Sequence, residues 1–289
     1  MAKYGIPYQG SKSGIADSLI SFLPSGKRFV DLFGGGAAMS ECALKSGKYN
    51  SVYYNELNPI LCDLIKRATH GNFNYDVFKP EFISREKFNA EKDKDGYIKY
   101  IWSFSNNGDN YLFSKELEPQ KRSLHNFVVF GIKDDFIKSR FNDIDKYVID
   151  EDIRKRRMLL RRYMQLKQAK RPHKELQQLE RLQQLEQLER LQRLERLEIN
   201  CGSYLDYEYR DGDVVYCDPP YEGTEGYNQT QFNHKEFYDW VASRPYQVFF
   251  SSYKISDKRF KMIWAKSKIN LMGGASGQFK NYECLYTNK

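Results

Sequence analysis

Apolar positions along the chain form two alternating stretches that flank a less regular middle. In the first stretch, over 1–70, Arg28-Phe29-Val30-Asp31-Leu32-Phe33 reads as a strand and Gly34-Gly35-Gly36 as a tight turn. Ala37 to Lys45 then supplies good helix formers, with Gly47 as a stop. Ser51-Val52-Tyr53-Tyr54-Asn55-Glu56 is a second strand. Asn58 caps the helix that follows, with Pro59 at its first position and an apolar stripe through Ile60, Leu61, Leu64 and Ile65. Over 200–289 the alternation returns: a strand from Val214 to Cys217, a helix from about His234 to Ala242, a strand from Gln247 to Tyr253, and Tyr282 to Tyr286 as the closing strand. This rhythm predicts an α/β fold with a parallel or mostly parallel sheet.

The middle breaks the rhythm. Residues 71–150 are rich in Asn, Asp, Lys, Phe and Tyr. Asn106-Asn107-Gly108-Asp109-Asn110 is a turn signal between the aromatic stretches Tyr100 to Phe104 and Tyr111 to Phe113, which suggests a hairpin. Residues 151–199 read as helical, with Pro172 as a kink or break. Leucine then recurs at every third position from Leu176 to Leu197. Three residues turn a helix by about 300°, so the leucines wind around it and no face stays apolar. The pattern suggests an arm or spacer helix with partly exposed leucines; self-association through 176–197 is the alternative. The chain thus divides into 1–70, an inserted 71–199, and 200–289 that completes the first part.

Composition adds a partner. The net charge is +8, and 151–174 alone carries ten Lys or Arg against Glu151 and Asp152, a local excess equal to that of the whole chain. Such a concentration points to a polyanion, most simply nucleic acid, with Arg154, Arg156, Arg157, Arg161 and Arg162 as candidate contacts; a solvated helix face is the alternative. Five cysteines lack CxxC spacing and four histidines form no ligand pair, so neither a disulfide framework nor a metal is expected. No apolar run approaches membrane-spanning length and the N-terminus lacks a signal peptide's apolar segment, so a cytoplasmic location is expected.

Three constellations carry chemistry. The turn Asp31 to Gly36 joins a strand to a helix N-terminus, where glycines admit a ligand close to the backbone. Glu56 ends the next strand, where a carboxylate can accept hydrogen bonds from ribose hydroxyls; with it, an adenosine-containing cofactor is favoured over a plain strand–helix connector, while the spacing does not fit GxGxxG and so does not favour a nicotinamide dinucleotide. Asp218-Pro219-Pro220-Tyr221 follows a buried strand directly. The two prolines lack N–H groups and stiffen the segment, leaving a carboxylate, free carbonyls and a ring at the strand's end, a cradle for a planar amine.

With Pro7-Tyr8-Gln9-Gly10-Ser11-Lys12 and Asn55-Glu56-Leu57, these motifs resemble the DNA adenine methylase (Dam-like, D12 class) family of S-adenosylmethionine-dependent methyltransferases, over essentially 1–70 and 200–289. The resemblance implies a Rossmann-like methyltransferase sheet with helices on both faces and an inserted, mainly helical target-recognition region. It implies S-adenosylmethionine contacts from Tyr8, Lys12, Asp31, Phe33, Gly34 and Gly36, with Glu56 on the ribose and Asp206 and Tyr207 near the adenine ring. It also implies that Asp218 and the Pro219 carbonyl accept the two N–H bonds of a target amine flipped out of double-stranded DNA, with Pro220 and Tyr221 completing the motif and Tyr221 stacking on the base. Cytosine N4 is the nearest rival target; related signatures in methylases of RNA or of protein glutamine usually begin with Asn. An inactive relic that assembles through the leucine repeat is the reading outside enzymes. Restriction, phage counter-defence and regulation all stay open as roles.

Overall fold

A computed structural model describes residues 3–141, 143–144, 152–167, 186–192, 194, 196–222, 232–269 and 280–289. In chain order its elements are α1 (Ala16–Phe22), β1 (Arg28–Asp31), α2 (Ala38–Ser46), β2 (Ser51–Glu56), α3 (Pro59–Thr69), α4 (Arg85–Glu91), α5 (Glu118–Phe130), α6 (Asp135–Arg140), α7 (Ile153–Lys167), α8 (186–191), β3 (Leu197–Cys201), β4 (Asp213–Cys217), α9 (His234–Ser243), β5 (Val248–Ser252), β6 (Lys261–Ile269) and β7 (Lys280–Thr287). They divide into two compact units. One holds 2–5, Ser11–Cys62 and Leu194–Lys289; the other holds Ile6–Gly10 and Asp63–Arg193.

The first unit is built on a seven-stranded sheet in the order β3-β2-β1-β4-β5-β7-β6. β3, β2, β1, β4 and β5 run parallel, and β7 is antiparallel to both β5 and β6. All four residues of β1 are buried, as expected for a central strand covered on both faces. On one face, Phe237, Trp240 and Val241 of α9 pack on Val30, Leu32, Val215, Cys217, Val248 and Phe250. On the other, α2 lies along β1 and β2, with the Ser40 hydroxyl donating to Asp31 Oδ2 at 2.7 Å. The expected α/β sheet with helices on both faces is therefore present. At the amino ends, Arg28 grips Asp213 through Nε at 2.9 Å and Nη2 at 2.8 Å, fixing β1 against β4 in the register Arg28↔Asp213.

Three expectations change. Leu197 to Ile199, read as the tail of a helix, belong to β3; pairing with β2 overrides the helix preference of the Leu-Glu repeat. Tyr282 to Tyr286 lies in an inner strand, because β6 covers its far side. β6 carries Lys261, Lys266 and Lys268 and a bulge between Met262 and Trp264, features of a protected edge that blur apolar alternation. The Asn106–Asn110 segment does reverse the chain, closed by Phe104 N to Asn110 O at 2.8 Å and Leu112 N to Trp102 O at 3.1 Å. Tyr100 and Ile101, however, sit in a π-helix over Tyr97–Ile101, and Ser103↔Tyr111 is an isolated bridge rather than a ladder.

The second unit is mainly helical among its described residues. Phe82, Trp102, Phe113 and His125 form an aromatic cluster, and His125 Nε2 lies 2.8 Å from Pro80 O. Of the leucine repeat, 176–185 lies outside the described residues. Leu188, Leu191 and Leu194 are buried, not exposed as a long spacer helix would leave them. A three-residue leucine stripe winds around a helix only over many turns, and α8 is so short that Leu188 and Leu191 share one face.

Candidate active site

The parallel order reverses direction between β1 and β4, and three carboxylates gather at the carboxyl ends of the strands there. Asp31 ends β1, Glu56 ends β2 and Asp218 follows β4. Asp31 pairs in register with Tyr216, two residues before Asp218. The sequence brings them together through one device used three times: a short apolar strand followed at once by a turn or a proline.

Asp218 is held from two sides. Lys12 Nζ lies 2.8 Å from Asp218 Oδ2, and the Tyr221 hydroxyl lies 3.2 Å from Oδ1. Lys12 is presented by a short 3-10 turn, Lys12–Gly14, where Ser11 Oγ accepts from Ser13 N and Ser13 Oγ from Tyr4 N. The ammonium is also 3.4 Å from Glu283 Oε1 and 4.7 Å from the Tyr221 ring centroid. Tyr221 donates to Glu283 Oε1 as well, and Tyr253 meets its ring edge-on at 4.8 Å. Side-chain exposure is 17 % for Asp218, 8 % for Lys12 and 1 % for Glu283, so Asp218 is the most accessible of three largely covered groups. Burial raises the Asp218 carboxyl above the usual range, with the Lys12 charge opposing it. His234 Nε2 lies 2.8 Å from Pro220 O, while among the described residues nothing donates to the Pro219 carbonyl.

The glycine turn is tight for a definite reason. A Cβ on Gly34 would collide with the buried Tyr54 ring, whose hydroxyl donates to Gly35 O at 2.8 Å. Gly35 has φ 49° and Ala37 has φ 61°, so a non-glycine residue also adopts the left-handed conformation before α2. Glu56 locks the turn: Oε2 accepts from Gly35 N and Oε1 from Asn58 N, each at 2.9 Å. Burial raises the Glu56 carboxyl, while these backbone donors oppose the rise. Asp31 is fully buried. Its Oδ2 accepts from Ser40 and its Oδ1 has no hydrogen-bond partner among the described residues. Burial, reinforced by the charges of Asp218 and Glu56, pushes its carboxyl up to about 7.

A family model for D12 class N6 adenine-specific DNA methyltransferases matches residues 8–282. The chain belongs to that family. No curated protein matches it in sequence. The protein is therefore an adenine-specific DNA methyltransferase, and DNA is its substrate.

In this methyltransferase the expected site residues are not all in one place. Lys12, Asp31, Gly34, Gly36, Glu56, Asp218, Pro219, Pro220 and Tyr221 fall in the sheet unit around the strand ends. The Phe33 ring packs against Tyr204 and Phe232, at 5.2 and 5.8 Å. Asp206 is exposed, at the end of a 3-10 turn beyond β3. The Tyr207 hydroxyl bonds Asp213 at the opposite, amino end of β4, so it does not join Asp218. Tyr8 falls in the helical unit, where its ring meets Tyr100 edge-on at 5.3 Å.

The arginines of α7 also separate. Arg154 pairs with Glu189 and lies 3.4 Å from Asp76, and Arg157 pairs with Glu186. Arg156 is half-buried against Gly131. Arg161 and Arg162 are exposed, as is Lys155. Two residues in contact with these groups escape sequence reading: Glu283, inside a strand that reads as core, and Ser40, inside a helix. No local motif marks either of them.

No described helix is long and apolar enough to cross a membrane. Among the described residues no three His, Cys, Asp or Glu side chains gather to hold a metal ion.

Proposed function

We propose that this methyltransferase moves the methyl group of S-adenosylmethionine to N6 of an adenine flipped out of double-stranded DNA at a specific site. The observation that carries the reading is Asp218: a carboxylate at a strand end, partly accessible, anchored by Lys12, and followed by a proline carbonyl with no donor among the described residues. An exocyclic amine has two N–H groups and a lone pair delocalised into its ring. Two fixed acceptors draw it toward a tetrahedral nitrogen, and Asp218 and the Pro219 carbonyl supply them. This is orientation and electrostatics, with no covalent intermediate on the protein.

The residues fit the methyl donor. The orphaned Asp31 Oδ1 suits a cationic amino group, since a buried acceptor without a donor is costly. Glu56 has lone pairs left for ribose hydroxyls after accepting one backbone N–H on each oxygen. Gly36 carries no side chain that would keep a ligand from the backbone of the turn. When bound, S-adenosylmethionine supplies an electrophilic methyl group on a sulfonium. Lys12, Phe33 and the exposed Asp206 flank the same unit and are assigned supporting contacts, while Tyr8 and Tyr207 rest on the family resemblance alone.

A paired base cannot reach Asp218, so the target leaves the stack at a cost of a few kcal/mol, and Tyr221 stacks on it. Residues 71–193 are assigned target recognition, with Lys155, Arg161 and Arg162 on phosphates. Sequencing that detects modified bases in DNA from cells expressing the protein tests the reading. It should find N6-methyladenine at one recurring sequence. Unmodified DNA, or methyl groups on cytosine alone, would overturn it.

A further inference from the structure

Glu283 is fully buried in the inner strand β7 and is absorbed by no part of the mechanism above. Its carboxylate touches both groups that hold Asp218. Oε1 is 3.4 Å from Lys12 Nζ and accepts from the Tyr221 hydroxyl. Tyr221 has one hydroxyl proton and two carboxylates within reach, Asp218 Oδ1 at 3.2 Å and the nearer Glu283 Oε1. Lys12 has one charge and the same two carboxylates beside it.

We propose that Glu283 is a positioning residue for methyl transfer: it takes the Tyr221 proton and shares the Lys12 charge, which leaves Asp218 Oδ1 open as the acceptor for the target amine. The inference rests on the proposed function. A hydroxyl between two acceptors donates to the one that is nearer and charged. Neutralising Glu283 turns the Tyr221 hydroxyl toward Asp218 Oδ1 and gives Asp218 a larger share of the Lys12 charge. Both changes weaken Asp218 as an acceptor.

The titratable and charged groups around this pair come from several elements. Lys12 comes from the N-terminal turn, Asp31 from β1, Tyr216 and Cys217 from β4, and Tyr221 from the proline segment. Lys266 of β6 is the register partner of Glu283. The negative charge of Glu283 raises the Asp218 carboxyl, so its removal should lower the pH at which Asp218 ionises.

The test compares Glu283→Gln, which removes the charge, with Glu283→Asp, which keeps it. Methyl transfer to duplex DNA is followed against pH with saturating S-adenosylmethionine. We expect Glu283→Gln to lower kcat by about tenfold or more, with both KM values within about threefold, and to move the acid limb to lower pH. Glu283→Asp should lose less and keep the limb in place. Equal losses with an unmoved limb would make Glu283 a packing residue, and loss of the cooperative thermal transition in Glu283→Gln would make it a structural one; each overturns the inference. An inactive wild-type protein overturns the proposed function and this inference with it, whereas an active wild type matched by Glu283→Gln overturns the inference alone.

Discussion

Lys12 Nζ sits 2.8 Å from Asp218 Oδ2, although the two residues lie far apart in the chain. The pair ties the first turn of the protein to the segment that follows its central strand. It also leaves Asp218 partly accessible while Lys12 is buried. A carboxylate fixed in this way can be aimed at a ligand without first losing the freedom of a surface side chain.

Removing the carboxylate tests the chemistry. Asp218→Ala should reduce methyl transfer by about a thousandfold or more, the scale of losing a fixed transition-state contact. Cofactor binding, followed by calorimetry, should change little, because Asp31 and Glu56 remain.

Removing the ammonium should have a signed effect on pH dependence. Lys12 holds the Asp218 carboxyl down against burial. In Lys12→Gln the carboxyl rises further, so the acid limb of the rate profile moves to higher pH, opposite to the shift expected for Glu283→Gln. A rate profile from about pH 5 to 9 reads the direction.

Asp31 sets a stability test. Burial pushes its carboxyl up to about 7 from 3.8, so the folded protein holds a proton there that the unfolded chain has released. Stability from this group is full below about pH 4 and falls as pH rises to about 7, by roughly 4 kcal/mol in all. Asp31→Asn keeps the bond from Ser40 and removes the buried charge. Its melting temperature should exceed that of the wild type at pH 8 and match it more closely at pH 5, while affinity for S-adenosylmethionine falls.

Legibility of the fold followed locality. The strands ending at Glu56 and Cys217, the stop at Gly47 and the Asp-Pro-Pro-Tyr segment are written in consecutive residues, and each lies where the pattern puts it; the first strand ends at Asp31, short of the Phe33 to which its apolar run extends. Gly47 has φ 71°, as a helix-ending glycine should. β3 and β6 were obscure because edge strands are half exposed and carry Glu or Lys, so their pairing partners, not their own pattern, decide them. The contact of Glu283 with Lys12 was invisible for a related reason: β7 enters between β5 and β6, and only that topology carries a C-terminal glutamate to an N-terminal lysine.

The basic helix divides into two classes that mutation can separate. Arg161→Gln and Arg162→Gln should weaken DNA binding at all sequences and lower the salt slope by about one each. Arg154→Gln and Arg157→Gln break ion pairs to Glu189 and Glu186, so they should lower thermal stability instead, with little change in the slope. Filter binding over a range of salt, beside thermal melts, distinguishes the two.

Gly34→Ala should destabilise the sheet unit by about 1–3 kcal/mol, because the added methyl meets a buried ring that cannot retreat. Urea titration measures the loss.

The central claim is the identity of the methylated atom. Purified protein, duplex DNA and S-adenosylmethionine labelled in its methyl group are incubated, and the DNA is digested to nucleosides for mass spectrometry. We expect the label in N6-methyldeoxyadenosine alone, and none with Asp218→Ala. Label in N4-methyldeoxycytidine, or undiminished label with Asp218→Ala, would contradict the roles given to this site.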